Sequence, residues 1–308
     1  MSTREDIQAM KRSANAHCDA LAWPTIVLAS VVLPLYFLTP VAVVMGVLPV
    51  AVGTLMMAFL AYAGYTALHE SVHGAVCGGQ QKHRWVNELI GYMAGLTLGV
   101  PLSAHRYEHF LHHNHTNKQA DDPDLICTDM TQNWWRTVAS PVTLFTNHYG
   151  LFMRGRWPTA HAGLRWTFVL ETAGILVSRA LLLALLFGPV ATASGASPLS
   201  VALAAAMTLV VGPILGTIML VYLFAYLVHI PHSVEGKFKD TSIFVLPAWL
   251  RSVGTWLWGF QNYHGIHHAF PRLPWYRYRE VYEANRELLW EQGMPTYALS
   301  GLRWRRVN

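Results

Sequence analysis

The chain has 308 residues, of which 53% are hydrophobic and only 13% charged, and its mean hydropathy is +0.28. Because a soluble domain carries about 25% charged residues, this composition excludes an ordinary water-soluble protein and indicates a protein of the lipid bilayer. The formal net charge of +5 lies in segments between long apolar runs, so it does not indicate nucleic-acid binding. The three cysteines are far apart and form no CxxC pair, which excludes an iron–sulfur site and a disulfide framework.

The polar N-terminal segment, residues 1–22, lacks the pattern of a cleaved signal peptide. Four apolar stretches follow, at residues 23–38, 41–68, 166–190 and 199–228, and a bilayer-spanning helix needs roughly 20 such residues. The sequence therefore predicts four transmembrane helices. Two charged residues inside the third, Glu171 and Arg179, are expected to pair with each other or to extend toward the membrane surface.

The distribution of Lys and Arg predicts the orientation of these spans, since positive residues stay on the cytoplasmic side. The links at residues 39–40 and 191–198 carry no charge, whereas the other connecting segments are rich in Lys and Arg. Both termini and both large polar segments are then cytoplasmic. A fifth stretch, residues 86–102, is apolar but short and contains Glu88. It cannot be a lone span in this topology, so a re-entrant or interfacial hairpin is expected there.

The predicted fold class is an all-α integral membrane protein. Four transmembrane helices, the hairpin and a cytosolic helical cap form a single domain over residues 1–308. Residues 1–22 are the cytosolic N-terminal segment, and the cap consists of residues 69–165 and 229–308. The expected location is a bacterial inner membrane, with both termini and the cap on the cytoplasmic side.

Histidine is the unusual residue type, because most of the 16 histidines fall in four short clusters at the cytoplasmic ends of the spans. The first cluster has the spacing HxxxH, and two others have the spacing HxxHH. On a helix, residues three or four apart share a face, so such pairs can reach one metal ion. In each HxxHH box, the last histidine points about 100° from its neighbour, toward a second centre. The predicted ligands are His69, His73, His109, His112, His113, His264, His267 and His268.

This number of imidazoles indicates two metal ions, since a single ion rarely binds more than six ligands. Imidazole suits iron, zinc, copper and nickel. Two irons can together supply the electrons that O₂ activation requires and so oxidise an unactivated C–H bond, which acid, base or nucleophilic catalysis does not achieve. A lipid tail beside the site is the natural substrate.

Several polar residues near the boxes are candidates for supporting these ligands, by accepting the N–H that a metal-bound imidazole still carries. His105 and His115 are either further ligands or such supports. The acidic residues after the second box are either supports or a solvated loop. The supporting candidates are His105, His115, Asp121, Asp122, Asp124, Asn262 and His229, whereas His17, His83, His148 and His161 are expected to be structural.

At these motifs, the chain resembles the membrane fatty-acid desaturase and hydroxylase superfamily. The resemblance covers residues 68–295 and depends on HESVH, on HFLHHNHTN with the following DDPD, and on NYHGIHH. The stretch from YLVHIPH through AFPRLPWYRY, residues 226–278, is most similar to carotenoid ring hydroxylases and ketolases of that superfamily.

The resemblance implies a di-iron centre, four membrane helices and a cytosolic cap, with the box histidines as ligands. It also implies a further ligand just after the fourth span, where His232 matches better than His229. O₂ would be the co-substrate. No segment resembles a fused cytochrome b5 or ferredoxin, so electrons are expected from a separate donor, such as a ferredoxin or a cytochrome with its reductase.

The expected activity is a membrane oxygenase or desaturase, with monooxygenation of a carotenoid ring favoured over desaturation or hydroxylation of an acyl chain. The sequence also suggests two functions of other classes, a zinc metalloprotease and a metal transporter. The segment from His69 to His73 matches the HExxH motif of zinc metalloproteases, in which the glutamate is the general base. A protease would leave the two HxxHH boxes unexplained. A metal transporter would place its ligands near mid-bilayer rather than at the ends of spans.

Overall fold

The computed structural model describes residues 4–300 and 303–308, which excludes residues 1–3 of the predicted N-terminal segment and residues 301–302 of the predicted cap. Twelve of its helical segments build the bundle and the cap. They are the N-terminal helix Arg4–Ala16, the first span Trp23–Val44, the second span Val50–His73, the hairpin helices Arg84–Leu98 and Leu102–His115, the short helix Ile126–Met130, the cap helix Trp134–Leu151, the third span Ala162–Ser194, the fourth span Pro198–His229, the helix Ala248–Leu257, the third-box helix His264–Ala269 and the C-terminal helix Tyr278–Glu291.

All four spans are long and apolar enough to cross a membrane, with mean hydropathies between 1.5 and 2.3, which confirms the predicted number of transmembrane helices. The predicted link at residues 39–40 is wrong. The first span continues through Pro34 and Pro40 to Val44, and the chain turns at residues 45–49, where Gly46 has a φ of 72°. Proline breaks helices less readily inside a bilayer, because neighbouring helices replace the lost backbone hydrogen bonds.

The second span lies at the centre of the bundle and packs against the first span, the fourth span and the first hairpin helix. Its contact with the fourth span depends on close backbone approach. A Cβ atom at Gly212 would lie 2.8 Å from the carbonyl oxygen of Thr54, and one at Gly216 would also overlap the backbone of Ala58. Small residues of this kind let membrane helices pack tightly, and here they hold the fourth span in register with the helix that carries the first box.

The predicted hairpin exists, but residues 86–102 form only its first arm and its turn. The chain reverses at Gly99, which has a φ of 73°, and the return arm is the helix that carries the second box. Glu88, the charge in the apolar stretch, lies 2.9 Å from the guanidinium of Arg106 on that return arm. This ion pair joins the two arms and accounts for an acidic residue in an apolar helix.

The expected pairing of Glu171 with Arg179 is wrong, because each charged group binds the hairpin instead. The Glu171 carboxylate accepts hydrogen bonds from the backbone N–H of Ser103, at 3.1 Å, and from its hydroxyl. Arg179 donates to the carbonyls of Leu96 and Thr97, at 2.6 and 2.9 Å. Both residues therefore attach the third span to the hairpin, where the turn exposes unpaired backbone groups.

The described chain is mostly helical, as predicted, and a small sheet is added in the cap. β1, Ile243–Val245, pairs in parallel with β2, Thr296–Ser300, which pairs antiparallel with β3, Arg303–Arg306. The N-terminal helix packs against the C-terminal helix, so Met10 and Ala14 share a buried cluster with Ile266 of the third-box helix. Both terminal regions thus gather at the end of the bundle that carries the histidines.

Candidate metal centre

The first box lies at the last turn of the second span. His69 is fully buried and His73 is half-buried, and their ring centroids are 5.4 Å apart on one face of the helix. The helix ends immediately after His73, at Gly74, which has a φ of 71°. The two imidazoles are therefore presented at the end of an apolar helix, where the bundle meets the cap.

The second box divides between two groups of histidines. The Nε2 atom of His113 lies 3.0 Å from Nε2 of His109 and 2.9 Å from Nε2 of His267. Nε2 of His112 instead lies 3.0 Å from Nε2 of His229. The expectation that His109 and His112 share one centre and His113 reaches the other is therefore wrong. Residues i and i+4 are separated by about 40° around a helix and residues i and i+3 by about 60°, so the 109–113 pair is the closer one.

The third box reaches both groups from a single turn of helix. The ring of His267 lies 4.2 Å from that of His69, and the ring of His268 stacks on that of His113 at 4.2 Å. His264 lies between the groups, with its ring 4.9 Å from that of His229. Two sets of donor atoms result, and within each set the atoms all lie within 4.8 Å of one another. The first contains His69, His73, His109, His113 and His267, and the second contains His112, His229 and His268.

Of the two candidates after the fourth span, His229, and not the predicted His232, lies in one of the histidine groups. His229 is the last residue of that helix, and its Nε2 lies 3.3 Å from Nε2 of His268 as well as beside His112. His232 lies beyond the helix end, where its ring packs on Tyr226 with centroids 4.8 Å apart, outside both groups. A position on the last helical turn points into the bundle, whereas the chain has already turned away three residues later.

The donor set fits two divalent transition-metal ions. Both ring nitrogens of His69 and Nε2 of His73 are buried without a hydrogen-bond partner among the described residues. Burial also lowers the pKa of His109, His267 and His268 well below its usual range, so these imidazoles are neutral. Neutral imidazoles with unshared lone pairs that face one another are the form that binds a metal.

Four of the ligand candidates use Nδ1–H as a donor to the protein, which leaves Nε2 free for a metal. His112 donates to Asp122 at 2.8 Å, and His264 donates to Gln261 at 2.8 Å. The other two follow the same pattern, since His267 donates to the Tyr278 hydroxyl at 3.0 Å and His229 donates to the Ala225 carbonyl at 2.6 Å.

The acidic residues after the second box have different roles. Asp122 accepts the His112 N–H and also the backbone N–H of Asn117, at 2.7 Å, and Asp124 lies 3.6 Å from the same imidazole. Burial opposes protonation of His112, but the carboxylates of Asp124 and Asp122 outweigh it and raise its pKa to about 9, so a metal ion that binds Nε2 would displace a proton from it. Asp121 is different, because it pairs with Lys118 on the surface and contacts no box histidine among the described residues.

The other predicted supporting residues do not contact the ligand imidazoles by hydrogen bonds within the described structure. His115 donates to the Leu111 carbonyl of its own helix, at 3.0 Å. Asn262 donates to the Phe244 carbonyl at 3.0 Å and so positions the segment before the third box. His105 lies in a separate buried cluster with Glu108 and His148.

Sequence reasoning missed Gln261 and Tyr278 as supports of the third box. A signal existed for Gln261, which precedes His264 by three residues and so faces it across one helical turn. Tyr278 lies in the stretch after the box that carried the family resemblance, but only the fold shows that its hydroxyl meets His267.

Glu70 faces away from the candidate metal positions and supports the third box instead. Its carboxylate accepts a hydrogen bond from the Tyr278 hydroxyl and another from the backbone N–H of Trp275, both at 3.3 Å. The chain of contacts therefore runs from His267 through Tyr278 to Glu70. A protease would need this carboxylate beside the metal-bound water, so the geometry opposes the metalloprotease alternative.

Replacing Tyr278 by phenylalanine is expected to weaken metal binding by about 10- to 100-fold, because the His267 N–H loses its acceptor. Glu70→Gln is expected to retain the metal, since an amide oxygen still accepts from the tyrosine. Competition with a chelator, followed by metal analysis, measures both effects. Tyr282→Phe, on the same helix but away from the histidines, is the matched control. Equal affinities in Tyr278→Phe and the wild type would contradict the role assigned to this hydroxyl.

Two neighbouring cavities lie between the hairpin and the third span. One, of about 330 Å³, is lined mainly by apolar residues that include Leu96, Leu170 and Ile175. The other, of about 820 Å³, has a more polar lining that includes Arg106 and Phe110. The ring of Phe110 lies 5.6 Å from that of His73, so a residue that lines this second cavity also contacts the first histidine group.

Comparison with known proteins relates the chain to fatty acid desaturases. A family profile described as fatty acid desaturase matches residues 45–300, a range that contains all three boxes. Among curated proteins, the sn-1 oleoyl-lipid 12-desaturase of Anabaena variabilis is 32% identical over 126 residues, which cover 39% of this chain and 35% of that relative. The chain thus aligns with about a third of the length of the curated relative it matches.

Proposed function

Because this chain belongs to the fatty acid desaturase family, we propose that it is a membrane oxidoreductase that uses O₂ and two iron ions to oxidise an unactivated C–H bond of a long apolar lipid. The observation that carries this proposal is the convergence of three boxes from distant parts of the chain into two adjacent groups of imidazoles. One group alone would suit a single-metal hydrolase, whereas two groups in contact suit a two-metal centre.

When bound, two irons supply the redox chemistry that activates O₂ toward a C–H bond. The chain itself supplies the residues that would hold the two ions. Histidines of the first group would hold one ion, and those of the second group would hold the other, with His264 beside both. The Nδ1–H bonds to Asp122, Gln261, Tyr278 and Ala225 keep each ring in the tautomer whose Nε2 faces the metal. Burial of the rings excludes water from the site.

An acyl chain of a membrane lipid is the first candidate substrate, since the curated relative acts on an oleoyl lipid by name. The apolar and polar cavities beside the hairpin suit a molecule with a long tail and a polar end. A carotenoid is the second candidate, favoured by the resemblance of residues 226–278 to carotenoid ring hydroxylases and ketolases. The predicted preference for carotenoid oxidation thus becomes the second choice.

The proposed topology places both termini and the metal centre on the cytoplasmic side of a bacterial inner membrane. It is supported by the uncharged links 45–49 and 195–197 at the opposite end of the bundle, and by Lys and Arg in the other segments. The proposed domain is a single one, with a cap at residues 69–165 and 229–308. Electrons would come from a separate donor, such as a ferredoxin or a cytochrome with its reductase.

Expression in a bacterial host that is fed β-carotene and supplied with iron, ferredoxin and ferredoxin reductase tests this proposal. Extracted acyl chains and pigments are analysed by mass spectrometry, with the His112→Ala variant as the inactive control. New double bonds or hydroxyl groups in acyl chains are the expected result. Hydroxylated or keto carotenoids instead would transfer the proposal to the second substrate, and unchanged lipids and pigments in donor-supplied cells would contradict the oxidoreductase function.

A further inference from the structure

A third cluster of metal-ligating side chains lies beside the two histidine groups and is not needed by either. His105 and Glu108 lie one turn apart on the helix that carries the second box, and His148 comes from the cap helix Trp134–Leu151. All three are buried, with Glu108 only 2% exposed. The sequence predicts a structural role for His148 and gives no signal for Glu108, because neither belongs to a box.

The three donor atoms converge on one point. Nδ1 of His105 lies 2.8 Å from Nε2 of His148, which lies 2.7 Å from Oε2 of Glu108, and the third separation is 3.8 Å. Ligands around a tetrahedral zinc ion at 2.0–2.1 Å are separated by about 3.3 Å. The Nε2 atoms within the two box groups show similar separations of 2.9 to 3.3 Å.

The hydrogen bonds of this cluster to the rest of the protein orient its donor atoms toward one another. His148 donates its Nδ1–H to the Leu144 carbonyl at 2.6 Å, which turns its Nε2 toward His105 and Glu108. Oε2 of Glu108 pairs with Nε2 of His148 at 2.7 Å, whereas Oε1 of Glu108 and Nε2 of His105 have no partner within the described residues. A buried carboxylate requires a positive partner, and either a proton on His148 or a metal ion at the point where these atoms meet would supply it.

A small cavity of about 40 Å³ provides the space. It is lined by all three residues and also by Tyr65, Asp124 and Cys127, among others. A water molecule needs roughly 10–15 Å³ of such volume, so the cavity can hold an ion together with a water ligand. The cavity also contacts His109, whose ring lies 5.4 Å from that of His105. The site would therefore be a close neighbour of the first histidine group.

We propose that His105, Glu108 and His148 bind a third divalent transition-metal ion, separate from the two held by the boxes. Two imidazoles and one carboxylate are a ligand set that zinc and ferrous iron both accept, with a remaining position for water. The ion would join the hairpin to the cap helix, because its ligands come from both. The proposal does not depend on lipid oxidation, since it concerns residues outside the boxes.

Counting the ions bound by the purified full-length chain tests this inference. The detergent-solubilised protein is stripped with a chelator, reloaded anaerobically with Zn²⁺ in one sample and Fe²⁺ in another, gel-filtered and analysed for metal and protein. The wild type is expected to retain three ions per chain with at least one of the two metals. Glu108→Gln and His148→Gln are expected to retain two, and His83→Gln, a histidine outside all three clusters, is expected to retain three.

A wild type that retains two ions or fewer with both metals would overturn the third site, whether or not the variants fold. The third site would equally be overturned if the His148→Gln and Glu108→Gln variants retain as many ions as the wild type. In either case, the cluster would be an ion pair between His148 and Glu108. Lipid oxidation by a two-ion wild type would then leave the proposed function intact, so the two proposals fail separately.

Discussion

Alanine at His229 is expected to remove about one metal ion per chain and to lower lipid oxidation by at least ~10²-fold, whereas alanine at His232 leaves both near the wild-type level. Loss of a supporting residue at a metal site already costs 10- to 100-fold, so loss of a ligand costs at least as much. The second histidine group has only three members among the described residues, and Nε2 of His229 lies 3.0 Å from His112 and 3.3 Å from His268.

The two variants are well matched, because both residues are histidines within one short segment. His229 is 5% exposed and bonded to the Ala225 carbonyl, while His232 packs on Tyr226 outside both groups. Metal analysis and product formation are measured on the same preparations. A metal-depleted His232→Ala together with a metal-replete His229→Ala would show that the ligand after the fourth span is the one predicted from family resemblance, and the geometric assignment would be wrong.

Alanine at His267 is expected to abolish lipid oxidation and to deplete the first histidine group of its metal. Nε2 of His267 lies 2.9 Å from Nε2 of His113, and its ring lies 4.2 Å from that of His69, so it connects the third box to the first two. The residue is fully buried. Its removal therefore takes away a ligand and leaves a cavity into which the neighbouring rings can shift.

His115→Ala is the control for that experiment, since His115 is a histidine on the second-box helix that bonds only to the Leu111 carbonyl in the described structure. It is expected to retain metal and turnover. Circular dichroism and gel filtration establish that each variant is folded. Wild-type metal content and turnover in His267→Ala would contradict the assignment of the boxes as a metal centre.

Much of the fold and most of the candidate ligands could be predicted from local sequence patterns. Apolar length alone indicates four spans, and the structure places all eight box histidines at one end of the bundle. Such predictions succeed because helix length and the spacing of residues on a helical face are properties of a short segment. The link at residues 39–40 was misplaced because proline is a weaker helix terminator among packed apolar helices than in water.

The sequence does not determine the contacts between groups that are distant in the chain. Local spacing shows that His109, His112 and His113 lie near one another, but the approach of His267 and His229 decides which of them share a group. The same holds for Glu171 and Arg179, which bind the hairpin rather than each other.

By itself, then, the sequence determined a helical membrane protein with a histidine-rich end and its membership of an oxidoreductase family. Only the tertiary structure decided that His229 rather than His232 enters the second group, and that Glu108 and His148 meet beside the first group. The physical reason is that periodicity restricts the direction of a side chain within one helix, whereas the packing of separate helices determines which donor atoms come within a metal's reach.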